Sequence, residues 1–231
     1  VLTASFVGGP ITTQNTLEDA ASIVQFQIAD DSIPLASLTL TATSDNQTVL
    51  PNANLALTNL GGGAYRLSSL PAANQNGSGL VTVTITGDGA PVAQAFTLNV
   101  TSVNDPPSFT KGADQSILNG AGAQSIPNWA TGISQGPNET GQTLTFQVTN
   151  DNPSLFTVAP SINSSGTLTY TPRGALGTAV VSVVLIDGGG TANGGSDTSA
   201  SQTFTIQVTA TPVNLSGTLD PTFDGDGILR L

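Results

Sequence analysis

The central stretch TSVNDPPSF, residues 101–109, places an amide and a carboxylate next to each other, Asn104 and Asp105, directly before two prolines. Calcium prefers carboxylate and carbonyl oxygens, and about six to eight of them must converge on the ion from several segments. The same residues also suit a rigid linker with an Asx-type turn, because proline fixes its own backbone and Asn or Asp bonds to the chain nearby. The stretch is therefore a hinge, an ion site or both.

Other chemistry is narrowly limited by residue type. The 231-residue chain has no histidine and no cysteine, which excludes imidazole acid–base catalysis, thiol nucleophiles and zinc-type sites. Asp30 and Asp31 are adjacent, so on a strand they would face opposite sides of a sheet instead of converging on a pocket. Lys111 is the single lysine, and no catalytic motif surrounds it. We predict that the chain is not an enzyme.

The amino-acid composition excludes some classes of partner and indicates the fold class. Only 8% of residues are charged and the formal net charge is −11, so nucleic acid or an anionic membrane surface would be repelled. No run of 18 apolar residues is present, and we predict no direct membrane insertion. The 26 glycines, 14 prolines and 38% hydrophobic residues are typical of many short strands joined by tight turns. The low lysine content and the excess of acids favour a secreted or surface-exposed bacterial protein.

Alternation of apolar and hydroxyl residues predicts strands in both halves of the chain and no helix. The predicted strands are IVQFQIA (23–29), LTLTAT (38–43), LVTVTIT (80–86) and AFTLNVTSV (95–103), then QTLTFQVT (142–149), GTLTYTP (166–172), AVVSVVLID (179–187) and QTFTIQVTA (202–210). The predicted core holds Ile23, Phe26, Leu40, Val83, Ile85, Phe96 and Leu98 in the first half and Trp129, Phe146, Tyr170, Val183, Phe204 and Ile206 in the second. Ile23 and Phe26 cannot both follow strict alternation, which predicts a bulge or bend between them.

An internal repeat organises these strands. LTLTATSDNQTVL at 38–50 parallels LTFQVTNDNPSLF at 144–156, and TITGDG at 84–89 parallels VLIDGG at 184–189; FTLNVT at 96–101 parallels FTIQVT at 204–209. We predict an all-β fold of two tandem Greek-key β-sandwiches joined end to end. The predicted boundaries are an N-terminal strand or tail at 1–9, repeat 1 at 10–104, repeat 2 at 105–211, and a tail or the start of a further repeat at 212–231.

A repeat of about seven strands that ends in V-N-D-x-P, with an acidic pair in its first strand and a D-x-G turn before its last, resembles the cadherin-like and immunoglobulin-like tandem repeats of large bacterial surface proteins. The resemblance covers residues 10–211, nearly the whole chain. It implies an extracellular rod of stacked sandwiches, often stiffened by calcium at the junctions. It also implies that the chain belongs to an adhesin or an envelope-associated protein.

In the cadherin-like pattern, calcium ligands come from the acidic pair, the D-x-G turn, the linker N-D and an acidic loop of the following domain. The resemblance places them in this chain at Glu18, Asp19, Asp88, Asn104, Asp105 and Glu139. Copy two keeps Asp187 but has Asn119, Gly120 and Leu215 where Glu18, Asp19 and Asp105 stand in copy one. A shared site predicts that its ligands are lost as a set. We therefore expect one calcium site at the junction of the two repeats and none at the end of copy two.

Three functional hypotheses follow, of which the third, a direct adhesin that binds glycan or protein through its loops, has no distinctive aromatic cluster in the loops to support it. The first is a spacer or stalk segment of a bacterial cell-surface or secreted adhesin-type protein, whose partners are neighbouring repeats and whose distal ligand the sequence does not identify. The second is a subunit of an extracellular filament assembled by terminal strand donation to neighbouring subunits. VLTASFV at 1–7 suggests the second hypothesis, because it alternates apolar residues and is separated from the first sandwich by GGP.

Overall fold

The computed structural model describes residues 4–212, in which the regular elements are strands and short 3-10 turns, with no α-helix. The all-β prediction is confirmed. The strands are β1 (Ser5–Val7), β2 (Gln14–Leu17), β3 (Ser22–Ala29), β4 (Thr39–Ser44), β5 (Leu55–Gly61), β6 (Ala64–Ser69), β7 (Gly77–Thr86), β8 (Val92–Thr101), β9 (Ser108–Thr110), β10 (Gln115–Leu118), β11 (Gln124–Ile126), β12 (Thr131–Ser134), β13 (Thr145–Asn150), β14 (Phe156–Ile162), β15 (Leu168–Pro172), β16 (Gly177–Ile186) and β17 (Gln202–Thr209). The 3-10 turns are Leu35–Ser37, Asn52–Asn54, Pro153–Leu155 and Ala192–Gly194.

By their internal contacts the residues form two compact units. Among the described residues, the first comprises those up to Ser108 together with Ile133–Thr145 and Leu185–Ser199; the second comprises Phe109–Gly132, Phe146–Val184 and those from Ala200. Two loop segments of repeat 2 therefore belong, by contact, to the first unit. The boundaries inferred from the sequence stay a prediction.

The first unit contains two four-stranded sheets, ordered β1-β3-β6-β5 and β2-β8-β7-β4. All pairings are antiparallel except that of β2 with β8, which is parallel. Along β7 the side chains of Val81, Val83 and Ile85 are buried, and the intervening threonines face outward. This period of two is what a sheet with one covered face requires. The buried rows of both sheets form the core of this unit.

The second unit contains the sheets β10-β17-β16-β13 and β11-β15-β14, and a two-stranded pair of β12 with β9. β10 runs parallel to β17, as β2 runs parallel to β8. Its core includes Leu168, Val181 and Ile206, which are fully buried. Trp129 packs against Phe204 with ring centroids 4.3 Å apart.

Matching hydrogen bonds confirm the internal repeat. Asp45 Oδ1 accepts the Leu80 N–H at 2.7 Å, and Asp151 Oδ1 accepts the Val180 N–H at 2.7 Å. The backbone N–H of each aspartate also donates to the carbonyl of the same partner, at 3.1 Å in both copies. Asp45 and Asp151, which the sequence alignment pairs, therefore connect corresponding strands by the same two hydrogen bonds in each sandwich.

The predicted core is confirmed with one exception on β3. Ile23 is 57% exposed, whereas Val24 and Ile28 are buried. β3 pairs with β6 without interruption from Ser22 to Gln27, so the predicted bulge between Ile23 and Phe26 is wrong. The buried row on β3 is Val24, Phe26 and Ile28, and Ile23 lies on the other face. Phe26 and Leu40 are half-buried, and the other predicted core residues are buried.

The N-terminal strand pairs within its own unit. Phe6 of β1 lies opposite Ile28 of β3 in an antiparallel register, and Phe6 and Phe26 are in ring contact at 5.7 Å. This is the arrangement of an ordinary first strand. Terminal strand donation stays a prediction. Apart from its first residue, the predicted tail or further repeat at 212–231, including Leu215, lies outside the described residues.

Candidate functional site

The parallel pairing of β2 with β8 brings the first acidic pair to the linker. Leu17, the last residue of β2, lies opposite Thr101 at the end of β8, and the next N–H, that of Glu18, donates to the Thr101 carbonyl at 2.9 Å. Asp19 follows with φ +58°, in the left-handed region that Asn and Asp tolerate best after glycine. The chain therefore turns at this point, and both carboxylates stay beside residues 101–105.

Two carboxylates hold the linker backbone. Glu18 Oε1 accepts the N–H of Val103, and Glu139 Oε1 accepts the N–H of Asp105 at 2.8 Å. These two N–H groups belong to residues 103 and 105 of the linker, and both are bound by acids from other loops. The structure thus brings together Glu18, Asp19, Asp105 and Glu139, which we call the carboxylate cluster; all four belong to the first unit.

Asn104 is engaged in protein contacts. Its Nδ2 donates to Asp187 Oδ1 at 2.9 Å, Ser196 O at 2.9 Å and Gly190 O at 3.1 Å, while its Oδ1 accepts from Gln142 Nε2 at 2.8 Å. A Cβ at Gly189 would lie only 1.8 Å from Asn104 Oδ1, so glycine is required there. Asn104 therefore anchors the linker to the 185–199 segment, as the rigid-linker interpretation requires.

The structure does not bring Asp88 to this cluster. Asp88 lies in the turn between β7 and β8, where both of its carboxylate oxygens are 3.4 Å from Ser32 Oγ. The linker follows the opposite end of this hairpin, where Gly77 pairs with Val100. β7 has ten residues and is therefore about 30 Å long at ~3.3 Å per residue. Asp88 cannot share an ion with Asp105 across that length.

Asn74 belongs to the cluster, although the sequence analysis did not include it. Its backbone N–H donates to Asp19 Oδ1 at 3.0 Å, and one terminal atom of its amide lies 3.2 Å from Asp19 Oδ2 and 3.3 Å from Asp105 Oδ2. If that atom is nitrogen, it donates to both carboxylates. If it is oxygen, three oxygens converge with no proton between them, which a cation would stabilise.

A longer loop was the only signal for Asn74 in the sequence. Copy one has seven residues between Ser69 and Gly77, residues 70–76, whereas copy two has four between Pro172 and Gly177, residues 173–176. Because Asn74 lies in the extra length, it has no counterpart that the alignment of the repeats could reveal.

Electrostatic repulsion is concentrated at the cluster. Burial raises the pKa of Glu18, and Asp105, Asp19 and Glu139 raise it further, against the opposing effect of the Val103 N–H. Burial likewise raises the pKa of Asp105, with Glu139 and Asp19 adding repulsion. Every charged group that acts on either carboxyl is itself an acid, so the cluster holds uncompensated negative charge.

Two further oxygens near the cluster lack partners. Asp187 Oδ2 and Gln142 Oε1 are buried without a hydrogen-bond donor. Gln142 Nε2 also donates to Glu139 Oε2 at 2.7 Å, which connects these oxygens to the cluster. A cavity of about 370 Å³, lined almost entirely by polar side chains that include Asn104, Glu139 and Gln142, adjoins them. Buried acceptors without donors are the groups that a water or a cation satisfies.

The cluster can bind a hard cation such as calcium only if amide or carbonyl oxygens act as ligands beside the carboxylates. Within residues 4–212, no group of three or more acid, histidine or cysteine side chains is arranged to hold a metal ion by itself. The cluster offers carboxylate oxygens together with Asn74, and calcium accepts such mixed oxygen ligands in flexible geometry. The residues therefore fit calcium better than a metal that needs nitrogen or sulfur.

Comparisons with known proteins identify the fold. No protein-family model matches this sequence, and no curated protein sequence matches it. The EC1-2 fragment of human protocadherin-24, in crystal form II, matches with a TM-score of 0.53 and 17% identity over 90% of this chain and 99% of that chain. Another structure of this fragment has a TM-score of 0.49 at 15% identity, covering 92% and 99% of the two chains. Titin domains z1z2 in complex with telethonin give 0.37 at 13% identity, covering 90% and 96%.

The first of these likenesses shows that the chain has an immunoglobulin-like and cadherin-like fold of tandem β-sandwiches. In the part of the chain that the structure describes, no helix is long and apolar enough to cross a membrane.

Proposed function

We propose that this chain is a structural spacer or stalk segment of a bacterial cell-surface or secreted adhesin-type protein, with calcium holding the linker at residues 101–105. The observation that carries the proposal is the carboxylate cluster, where Glu18 and Glu139 accept the linker N–H groups of Val103 and Asp105 and every charged group that acts on Glu18 or Asp105 is an acid. The partners in this proposal are neighbouring repeats of the same protein, and the location is extracellular.

The spacer role is supported by the tandem fold and by the composition. A chain with 8% charged residues and neither histidine nor cysteine has few groups that could catalyse a reaction or recognise a charged ligand. The bonds of Asn104 to the 185–199 segment and of Asp105 to Glu139 fix the linker at successive residues. A fixed linker is what a module that sets length and stiffness requires.

Calcium would be held by the carboxylates of Glu18, Asp19, Asp105 and Glu139 and by the side-chain oxygen of Asn74. A bound ion supplies the positive charge that the cluster lacks and joins the turn after β2, the linker and the 133–145 loop. In the orientation that satisfies its hydrogen bonds, the Asn74 amide nitrogen donates to Asp19 Oδ2 at 3.2 Å and to Asp105 Oδ2 at 3.3 Å. When the amide turns its oxygen toward a bound ion, the three groups have the spacing of neighbouring ligands that each lie about 2.3–2.6 Å from one ion. This set differs from the one predicted from the sequence, because Asp88 is left out, Asn104 positions the linker, and Asn74 is added.

Isothermal titration calorimetry tests the site. The full chain, freed of metal with a chelator, is titrated with calcium chloride as wild type, as the double variant Glu18→Gln/Asp105→Asn, and as Asp88→Asn. We expect binding at one site in the wild type, its loss in the double variant and no change in Asp88→Asn, which is the matched control. An absence of calcium binding in the wild type, or binding that survives in the double variant, would refute the proposal.

Electron microscopy of the purified chain with calcium and with chelator tests the spacer role. We expect separate particles whose shape varies less when calcium is present. Polymers of the full-length chain would instead favour the filament hypothesis.

A further inference from the structure

The first strand of each sandwich leaves one sheet and joins the other within a few residues. In the first unit, β1 pairs with β3 in one sheet, and β2 pairs with β8 in the other. Gly8 and Gly9 allow the change of direction with φ values of +95° and +102°. Residues 8–13 belong to no strand, so their backbone groups need hydrogen-bond partners outside the sheet ladders.

A glutamine on the last strand supplies these partners in the first unit. Gln94 of β8 accepts the Ile11 N–H through Oε1 at 3.1 Å and donates from Nε2 to the Gly9 carbonyl at 3.4 Å. A primary amide offers the same donor and acceptor as a peptide group. The Gln94 side chain therefore makes, at the crossing, the two hydrogen bonds that the backbone of a neighbouring strand would make.

The second unit repeats the arrangement on β17. Gln202 accepts the Lys111 N–H through Oε1 at 3.3 Å and donates from Nε2 to the Phe109 carbonyl at 2.7 Å. In both copies the glutamine bonds to the carbonyl of one residue and to the N–H two residues later. Gln94 lies opposite Val83, and Gln202 lies opposite Val183, at the same place in the repeat.

Both glutamines lie on the strand face that otherwise supplies the core, where a polar side chain can lower the stability of the fold. Gln94 alternates with buried Phe96 and Leu98, and Gln202 alternates with buried Phe204 and Ile206. A polar side chain at the end of a core row is destabilising unless its hydrogen bonds are made. The crossing segment is what makes them.

The crossing also governs how much of the β3 edge is covered. β1 pairs only with Gln27, Ile28 and Ala29 of the eight-residue β3. The Ile28 N–H donates to the Gly63 carbonyl on the β6 side, so by alternation the groups of Gln27 and Ala29 point toward β1. Release of β1 would leave this edge unpaired along its whole length, and unpaired edges bind strands of other chains.

We propose that Gln94 and Gln202 are latches that hold the first strand of each sandwich on its own sheet, and that the Gln94 latch keeps the β3 edge closed to a second copy of this chain. The latch is independent of calcium, because neither glutamine contacts the carboxylate cluster.

Amide hydrogen exchange by mass spectrometry tests the latch in the full chain. Gln94→Met keeps the length of the side chain and removes both bonds. We expect the amides of Ser5, Val7 and Ile11 to exchange about tenfold faster, which corresponds to about 1.4 kcal/mol, because two hydrogen bonds are lost. Gln202→Met should act in the same way on Phe109–Lys111.

Asn99→Ala is the matched control, since it removes an exposed side-chain amide bond between β8 and β2, from Asn99 to Asn15 at 3.0 Å, away from the crossing. We expect no change at β1, with calcium or with chelator. Exchange at the crossings that is unchanged in both glutamine variants, or raised equally throughout β7, would overturn the latch. Gln94→Glu, which keeps an acceptor for Ile11 but not the donor, replaces Gln94→Met if that variant does not fold.

Sedimentation velocity at physiological salt tests the closed edge. We expect Gln94→Met to form dimers whose fraction rises with protein concentration, and the wild type and Asn99→Ala to remain monomeric under the same conditions. A monomeric Gln94→Met variant whose β1 amides exchange rapidly would show that the edge is protected by something other than the latch.

Discussion

β3 of the first unit and the segment from β11 to β12 in the second occupy the same place in the repeat, yet only β3 is continuous. The Ile28 N–H donates to the Gly63 carbonyl at 2.9 Å, and the Ala130 N–H donates to the Gly166 carbonyl at 2.9 Å. Counting back from these matched bonds, one residue separates Ile28 from Phe26, whereas three residues separate Ala130 from Ile126.

The two additional residues explain the interruption. Pro127 has no N–H to donate to a sheet, and Asn128 has φ +55°, which a strand cannot continue through. Trp129 is thereby turned into the core against Phe204, and its indole N–H donates to the Ala113 carbonyl at 3.0 Å. The comparison shows that one sandwich fold accepts either an uninterrupted strand or a broken strand that contributes a large core side chain.

Truncation of Trp129 should have the largest effect on this comparison. We expect Trp129→Ala to lower the free energy of unfolding of the second unit by about 3–5 kcal/mol, because a fully buried ring is removed. Gln27→Ala, at the corresponding place in β3, should change the stability of the first unit by less than about 0.5 kcal/mol. Urea unfolding followed by circular dichroism measures both, and equal losses would contradict the claim that only the broken strand contributes a core side chain at this position.

Calcium binding should stabilise the two units to different extents, which is the second largest expected effect. At a concentration one hundred times its dissociation constant, calcium should stabilise the first unit by about 2.7 kcal/mol, because the carboxylate cluster belongs to that unit. The second unit should not respond. Hydrogen exchange of β7 and of β17, compared with and without calcium, measures the two responses, and equal protection of both strands would contradict the assignment of the ion to the cluster.

Tyr170 offers a smaller test in which a substitution should stabilise the protein. Tyr170 lies four residues after Gly166, as the wholly apolar Leu67 lies four residues after Gly63. The Tyr170 hydroxyl is buried without a partner, and burial raises its pKa. We expect Tyr170→Phe to raise the stability of the second unit by about 1 kcal/mol, since an unsatisfied buried polar group is removed. Thermal unfolding measures the change, and a loss of stability would reveal a bonded hydroxyl.

The stability of the calcium-free first unit should fall as pH rises, whereas most acids make a folded protein more stable as pH rises. Glu18 and Asp105 have pKa values raised above 4.5 and 3.8, so folding favours their protonated forms. The stability that they contribute is fully present below those ordinary values and is lost as pH rises through the raised values. Urea unfolding between pH 4 and pH 7.5 should therefore show a decline that calcium or Glu18→Gln reduces.

Asp30 gives the internal contrast for that measurement. The N–H groups of Ile33 and Ser32 lower its pKa from 3.8, so its contribution is present above pH 3.8 and is lost as pH falls through the lowered value. Because the contribution of Asp30 is already nearly complete at pH 4, it adds almost no slope between pH 4 and pH 7.5. A calcium-free first unit that gains stability steadily over this range would therefore contradict the raised pKa values of Glu18 and Asp105.

The sequence by itself determined the strands, the repeat and the buried rows, because alternation of period two and matched segments such as those around Asp45 and Asp151 are local signals. It placed Glu18, Asp19, Asp105 and Glu139 in one site through the resemblance to cadherin-like repeats, and the structure brings these four together. Ile23 was assigned to the wrong face, since a run of apolar residues at the start of β3 does not show which residue begins the alternation.

Only the tertiary structure decided which distant groups meet. Asp88 follows the same motif as Asp187, but the ten-residue strand β7 carries it to the far end of its sandwich, and sequence spacing does not report that distance. Asn74 joins the cluster from a loop without a counterpart in copy two, and Gln94 finds Gly9 and Ile11 more than 80 residues away along the chain. Side-chain amides carry no periodic signal, because what fixes their role is the position of an unpaired backbone group that only the folded chain creates.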